Sequence, residues 1–393
     1  MRGPSGYCNY SRRARWIAWA LDLAAAPAAP LLGILAPRGP CPPVPRSILV
    51  VRLDHLGDVL MSTPALAALR RAYPEARLDA LAAPWGRAAL EGNPDVDRVF
   101  EAPAPWYDPR RGDLPAPAEV LSVSAMLRRE AYDWALDMRG DPRVVAAYLL
   151  PAARRRFGFS GLGLERLLTD AVPYDRRRSM LDLALDLAAA AGAPAVPRRP
   201  VFRVDDDDRV EAGTLLQADA RLRAGERFAV IAPGANRAAA RWPAERFAEV
   251  GDGLEAAGLR VVLAGREADA PVTRALAAAM VCRPADLTGR TGLGTLAAVL
   301  ERAALLVAND SGSSHLAAAV DCPTVAVFGP TDPLLTFPYE DGERFMSVSV
   351  PIDHERPCFD LDCTSDHGFG AIPAERVLEA CVGVLGERGG SPT

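Results

Sequence analysis

The chain has no lysine: all 45 of its Lys+Arg positions, in 393 residues, are arginine. That excludes chemistry built on a lysine amine, such as a Schiff base or a Walker A phosphate loop. Histidine is scarce, at four residues, and aromatics make up only 6%. The seven cysteines are odd in number and scattered, which argues for reduced thiols in the cytoplasm over a disulfide framework. An excess of positive charge is also missing. The formal net charge of −5 argues against a general nucleic-acid binder. What remains is 50% hydrophobic and 24% charged, the balance of a globular chain long enough for two or three domains.

The first 45 residues stand apart. Arg12, Arg13 and Arg15 precede an apolar stretch over 16–37. Asp22, Pro27 and Pro30 interrupt it, which weighs against both a cleaved signal and a spanning helix. Trp16, Trp19 and Leu23 fall at i, i+3 and i+7, one face of a short helix. Such a face beside a basic flank suits the surface of an anionic membrane; the alternative is packing on the chain's own surface. Residues 38–45 are proline-rich and read as a linker. The expected division is an amphipathic extension over 1–45, one domain over 46–200 and another over 201–385.

From residue 47 apolar, β-branched runs alternate with helical patterns. Strands are expected at 48–53, 78–82, 98–100 and 134–138. A helix is expected over 63–73, with Pro64 in its first turn, where no N–H is needed. Residues 196–225 break the rhythm with Pro197, Pro200 and four aspartates at 205–208, read as a solvated helix start or loop in preference to a metal site. Strand patterns resume at 228–231, 260–263, 304–308 and 324–328. This alternation predicts an α/β chain with two parallel sheets, as two Rossmann-like domains facing a cleft. Ligands in such sheets bind at the carboxyl ends of the strands.

Three loops at those ends carry chemistry. The first is Arg52-Leu-Asp-His-Leu-Gly-Asp58, where Asp58 can accept a proton from a hydroxyl nucleophile or simply cap a helix. Asp54 is a rival base, and His55, Gly57 and Thr63 are expected on the acceptor side. The second is Pro233-Gly-Ala-Asn-Arg237 through Arg241-Trp242-Pro243. Arg237 and Arg241 can offer planar forks to phosphate oxygens; alternatively this is a surface turn anchored by Trp242. The third is Asn309-Asp-Ser-Gly-Ser-Ser314 before a helix beginning at His315. Free N–H groups at that helix start suit a diphosphate, and Asp310 suits sugar hydroxyls.

Two other patterns carry less. Gly292-Leu-Gly294-Thr-Leu-Ala297 fits a dinucleotide fingerprint, but 286–291 is not a strand, and the fingerprint needs one. His354, Cys358, Cys363 and His367 could ligate zinc, although their spacing is uncommon for it and thiol packing is preferred.

Taken together, Val51-Arg-Leu-Asp-His-Leu-Gly-Asp-Val-Leu-Met-Ser-Thr-Pro-Ala-Leu66, Asn309-Asp-Ser-Gly-Ser-Ser-His-Leu-Ala-Ala-Ala319 and Phe328-Gly-Pro-Thr-Asp-Pro333 resemble glycosyltransferase family 9. That family contains the ADP-heptose:lipopolysaccharide heptosyltransferases, and the resemblance runs over 48–382. It implies a GT-B fold and an inverting transfer without metal or other cofactor. The donor would be a nucleotide-diphosphate sugar, and the acceptor a lipopolysaccharide or other lipid-linked glycan at the cytoplasmic face of the inner membrane. It further implies Asp58 as the base and donor residues at Asp310, Ser311, Gly312, His315 and Glu267; the loop chemistry adds Ser313, Ser314, Arg237 and Arg241 to the expected donor site. Many members carry a lysine where this chain has Ala240. The rival readings are a GT-B sugar-nucleotide epimerase and a catalytically silent sugar-nucleotide-binding protein.

Overall fold

A computed structural model of the chain describes residues 36 and 37, 39–104, 117–218, 222 and 223, 225–339, 341–352, 356, 358 and 365–386, together with 16, 20, 22 and 23. The chain divides into two units, Met1–Arg198 and Arg199–Thr393.

The first unit carries six strands: β1 (Ser47–Arg52), β2 (Arg77–Ala82), β3 (Arg98–Glu101), β4 (Tyr132–Asp137), β5 (Ala153–Ser160) and β6 (Asp170–Pro173). All pair in parallel, in the order β3-β2-β1-β4-β5-β6. Both faces of β1 are enclosed, as expected for a parallel sheet. Leu49 and Val51 join a core with Leu127, Tyr148 and Leu149, and Ile48 and Val50 on the other face are equally buried.

Two helices of this unit matter below, α1 (Leu56–Ala72) and α2 (Met180–Ala190), which pack together. Helix α1 begins seven residues before the expected start at 63, so Pro64 sits in its interior. Proline there has no N–H for the carbonyl four residues back. The neighbouring hydroxyl compensates, since Thr63 Oγ1 donates to Leu60 O at 2.7 Å. The helix forms despite Pro64 because burial favours it: Val59, Leu60, Met61, Ala65, Leu66 and Leu69 are all sequestered from water.

The second unit repeats the plan with β7 (Phe228–Ala232), β8 (Arg260–Leu263), β9 (Ala285–Asp286), β10 (Leu305–Asn309), β11 (Thr324–Val327) and β12 (Phe345–Val348). Their order is β12-β11-β10-β7-β8-β9, again parallel throughout. Read from each unit's first strand, both sheets have the 3-2-1-4-5-6 order of a Rossmann fold. The core on one face joins Ile231, Val261, Leu263, Leu305 and Val327 to α3 (Ala244–Ala256) and to the last helix, Ala374–Gly386.

The aspartate run does start a helix, Asp206–Ala218, with Asp206, Asp207 and Asp208 in its first turn, where the helix dipole favours negative charge. The expected strands at 48–53, 78–82, 98–100, 134–138, 228–231, 260–263, 304–308 and 324–328 are present to within two residues at each end. Strands β5, β6, β9 and β12 were not anticipated. Among the described residues no helix is long and apolar enough to cross a membrane. Of the expected N-terminal face, Trp16 is 56% and Leu23 41% exposed; Arg12, Arg13, Arg15 and Trp19 lie outside the described residues.

Candidate functional site

In an open parallel sheet the ligand crevice lies where the strand order reverses. In the first unit that point is between β1 and β4. Val51 pairs with Asp137, so the loop after β1 lies level with the loop after β4. In the second unit it lies between β7 and β10, where Ala232 pairs with Ala308.

The loop after β1 leads straight into α1. His55 is the N-cap residue, without a side-chain cap, and is exposed; Gly57 is buried. Asp58 is the third helical residue, not the cap that a structural role predicted. The two rival aspartates differ sharply. Asp54 is wholly buried, and Arg139 Nη1, from the loop after β4, reaches its Oδ2 at 2.7 Å. The Trp85 indole donates to the Asp54 carbonyl at 2.6 Å. Asp58 keeps 20% of its side chain exposed and faces Arg52 Nη2 at 3.5 Å. Asp58 is thus the carboxylate a ligand can reach. Thr63, expected on the acceptor side, is 1% exposed, and its hydroxyl donates to Leu60 O.

At the end of β4, Asp137 accepts from the N–H of Arg139 at 3.0 Å and of Asp141 at 2.9 Å. Burial outweighs those bonds and pushes its carboxyl up to about 7.

In the second unit the expected donor residues lie on loops after β7, β8 and β10. Asn309, the last residue of β10, ties two of them together. Its amide donates to Pro233 O at 2.7 Å and accepts from Trp242 N at 2.9 Å. Trp242 is 1% exposed, stands edge-on to Phe247 and donates its indole N–H to Ile372 O. It is the anchor of the loop. Arg241 turns back on that loop, donating twice to Ala235 O at 2.9 and 3.1 Å. Arg237 is half-buried, and its Nη1 has no partner among the described residues. Arg237 therefore has a buried donor to spare. Ala240 closes the short 3₁₀ turn between them.

Gly234 is required by a close approach, because a Cβ there would come within 2.5 Å of the Asp269 carboxyl carbon. Asp269 is buried, closes the turn bearing exposed Glu267, and accepts from Arg266 N at 3.0 Å.

The loop after β10 enters helix α4 (Gly312–Ala319) through Ser311 as N-cap. The Ser311 and Ser313 hydroxyls share a hydrogen bond of 2.8 Å, and the Ser314 hydroxyl donates to Ser311 O. Asp310 Oδ2 accepts from Thr331 Oγ1 at 2.6 Å, on the loop following β11, and from Thr336 Oγ1 at 3.3 Å, at the end of the short helix Pro333–Thr336. His315 is buried, with Nδ1 bonded to the Tyr339 hydroxyl and Nε2 3.9 Å from Asp310 Oδ1. Burial lowers the His315 pKa, more than Asp310 raises it. The phenol is pushed far above its usual range by burial, so it stays protonated. Sequence reasoning missed Arg139, Thr336 and Tyr339, and named Arg52 and Asn309 only as members of the first and third loops. Thr331 was visible only as part of the Gly-Pro-Thr-Asp-Pro run.

Of the dinucleotide-like glycines, Gly294 answers to a close approach. A Cβ on Gly294 would collide with the Asp208 carboxylate at 2.1 Å, and the only strand before them is the two-residue β9. In the C-terminal cluster, Cys358 and His367 are buried, whereas His354 and Cys363 lie outside the described residues. Among the described residues no cluster of three or more metal-ligating side chains occurs.

The sequence profile described as glycosyltransferase family 9 (heptosyltransferase) matches residues 120–367. Lipopolysaccharide heptosyltransferase 2 of Salmonella typhimurium is 28% identical over 363 residues, covering 87% of this chain and 99% of that protein. A family 9 glycosyltransferase from Veillonella parvula superposes with a TM-score of 0.73 at 23% identity, covering 87% of this chain and 97% of that one. The Escherichia coli ADP-heptose lps heptosyltransferase II structure gives 0.70 at 24% identity, with 88% and 100% coverage. These likenesses identify the two Rossmann-like units as a GT-B fold. With the profile spanning more than half its length, the chain belongs to glycosyltransferase family 9 and is a glycosyltransferase.

Proposed function

We propose that this enzyme transfers a heptose from a nucleotide-diphosphate donor to a lipopolysaccharide acceptor, with inversion and without a metal. The observation that carries the reading is the pair of aspartates after β1. Asp54 is buried and neutralised by Arg139, and Asp58 stays accessible at the switch point. The similarity to Salmonella typhimurium lipopolysaccharide heptosyltransferase 2 supports heptose as the sugar and lipopolysaccharide as the acceptor.

In this mechanism the Asp58 carboxylate takes the proton of the acceptor hydroxyl as its oxygen attacks the anomeric carbon. The bond from that carbon to the donor diphosphate breaks, and the electron pair leaves with the diphosphate. The first N–H groups of α4, at Gly312 and Ser313, face that charge together with Arg237, a fixed positive field where charge develops. Arg241 shapes the loop that presents Arg237. Asp310, oriented by Thr331, Thr336 and His315, accepts from sugar hydroxyls. Ser311 and Ser314 hold the turn, and Glu267 completes the donor side. His55 and Gly57 border the acceptor. The N-terminal segment, with exposed Trp16 and Leu23, holds the enzyme reversibly at the cytoplasmic face of the inner membrane.

The test is transfer from ADP-heptose to a detergent-solubilised lipopolysaccharide acceptor, with the anomeric configuration of the product read by NMR. The opposite configuration to the donor's, formed at full rate in EDTA, is expected. Retained configuration, or a rate lost in EDTA and restored by a divalent ion, would overturn the mechanism.

A further inference from the structure

Arg52 is a costly residue to place where it stands. It closes β1, the central strand, and is 1% exposed. Its Nη1 donates to Met138 O at the end of β4. Its Nε and Nη2 make no hydrogen bond among the described residues. Instead Nη2 lies between two carboxylates, 3.6 Å from Asp54 Oδ2 and 3.5 Å from Asp58 Oδ1. Burying a guanidinium with unsatisfied N–H groups is unfavourable, and an apolar residue of similar volume would serve a strand end at least as well. Stability of the sheet does not account for an arginine here.

The surrounding charges give a reason. Four groups form one array, Arg52 and Arg139 with Asp54 and Asp58. Arg139 bonds Asp54 directly at 2.7 Å, and Arg52 is the cation left for Asp58. Asp58 sits in the first turn of α1, where its side chain would otherwise choose freely among rotamers. We propose that Arg52 is the positioning residue of the base, holding the Asp58 carboxylate from beneath so that its exposed oxygen faces the acceptor hydroxyl. This rests on the assignment of Asp58 as the base. The roles are divided by depth. Asp54, itself held by Arg139, flanks Arg52 from the side, Met138 O fixes it from the neighbouring strand, and of the two carboxylates only Asp58 projects toward solvent.

The test is a double-mutant cycle on the full chain, with ADP-heptose and a detergent-solubilised lipopolysaccharide acceptor. Arg52→Lys keeps the charge but shortens its reach, and Arg52→Gln keeps a donor without the charge. Both are expected to fold, by circular dichroism, and to bind ADP-heptose normally in calorimetry. A misplaced base slows the chemical step, so kcat should fall roughly 10- to 100-fold in Arg52→Lys, and further in Arg52→Gln, with KM values within about threefold. A residue that acts only through Asp58 adds nothing once Asp58 is disabled, so Asp58→Asn and Arg52→Lys/Asp58→Asn should turn over equally slowly.

A double variant slower than Asp58→Asn by the full Arg52→Lys factor would show that Arg52 acts elsewhere. Wild-type kcat in both Arg52 variants would remove the role, and failure of both to fold would reassign Arg52 to the architecture. If Asp58→Asn alone keeps the wild-type rate, the base assignment fails and this inference with it. A slow Asp58→Asn beside fully active Arg52 variants would sink this inference alone.

Discussion

Thr63 offers a way to separate a ligand contact from a structural repair, because the two roles predict opposite readouts. Pro64 lies inside α1 and cannot serve the carbonyl of Leu60, and the Thr63 hydroxyl does so at 2.7 Å. Thr63→Val removes the hydroxyl at nearly constant volume and strands that buried carbonyl, a loss of about 1–3 kcal/mol. In a unit of this size each kcal/mol moves the melting temperature by roughly 2–4 °C. Pro64→Ala restores an N–H to Leu60 O, so the same Thr63→Val change made in that background should cost less by about 1–2 kcal/mol. Independent sites would instead add to within about 0.5 kcal/mol. Urea titrations of the wild type, both single variants and the double variant measure the coupling, and the acceptor KM is followed alongside. Equal costs in the two backgrounds would refute the repair. A stable Thr63→Val variant with a raised acceptor KM would return Thr63 to the acceptor side.

Three further outcomes follow. The buried Asp137 carboxyl is raised from 3.8 to about 7, so the folded state holds its proton more tightly than the unfolded one and stability is lost as pH rises from about 4 to 7. Asp137→Asn removes that loss, and its advantage over the wild type in urea titrations should grow by about 2–3 kcal/mol between pH 5 and pH 8; a pH-independent difference would contradict it. Asp310→Ala should weaken ADP-heptose binding by roughly 10- to 100-fold in calorimetry, the scale of a hydrogen bond to a charged group, and Thr331→Val should weaken it less. Unchanged affinity in Asp310→Ala would remove it from the donor site. Deleting residues 1–40 should leave donor binding intact but abolish sedimentation with anionic vesicles, and equal sedimentation would end the membrane proposal.

The parts legible in the sequence were those written in local pattern. Buried parallel strands such as β1, β7 and β10 are continuous apolar runs, and the loops after them carry polar residues that no strand or helix accounts for. What stayed hidden depends on partners far along the chain. Strand β5 contains Arg154, Arg155 and Arg156, three consecutive charges that hide the apolar pattern of a strand. In the fold Arg155 pairs with Asp170 at 2.7 Å and lies over the rings of Trp134 and Phe157, and Arg154 pairs with Asp133. The helix start was misplaced because Pro64 is a strong breaker signal, and what carries the helix through it is the tertiary burial of its apolar residues. Within the site, Asp54 and Asp58 could not be ranked as bases from spacing alone. Arg139, 85 residues from Asp54, ranks them by occupying one. His315 and Asp310 belonged to one motif, but Tyr339 and Thr336, which fix their geometry, lie outside it.

The central claim is that Asp58 performs the chemistry while the second unit holds the donor. The most direct measurement is Asp58→Asn examined twice, by calorimetry with ADP-heptose and by turnover with a detergent-solubilised acceptor. The account predicts donor affinity equal to the wild type's, with turnover lower by roughly 10²–10⁴, the scale of a positioned acid–base group. Turnover near that of the wild type, in a folded variant that binds donor normally, would contradict it.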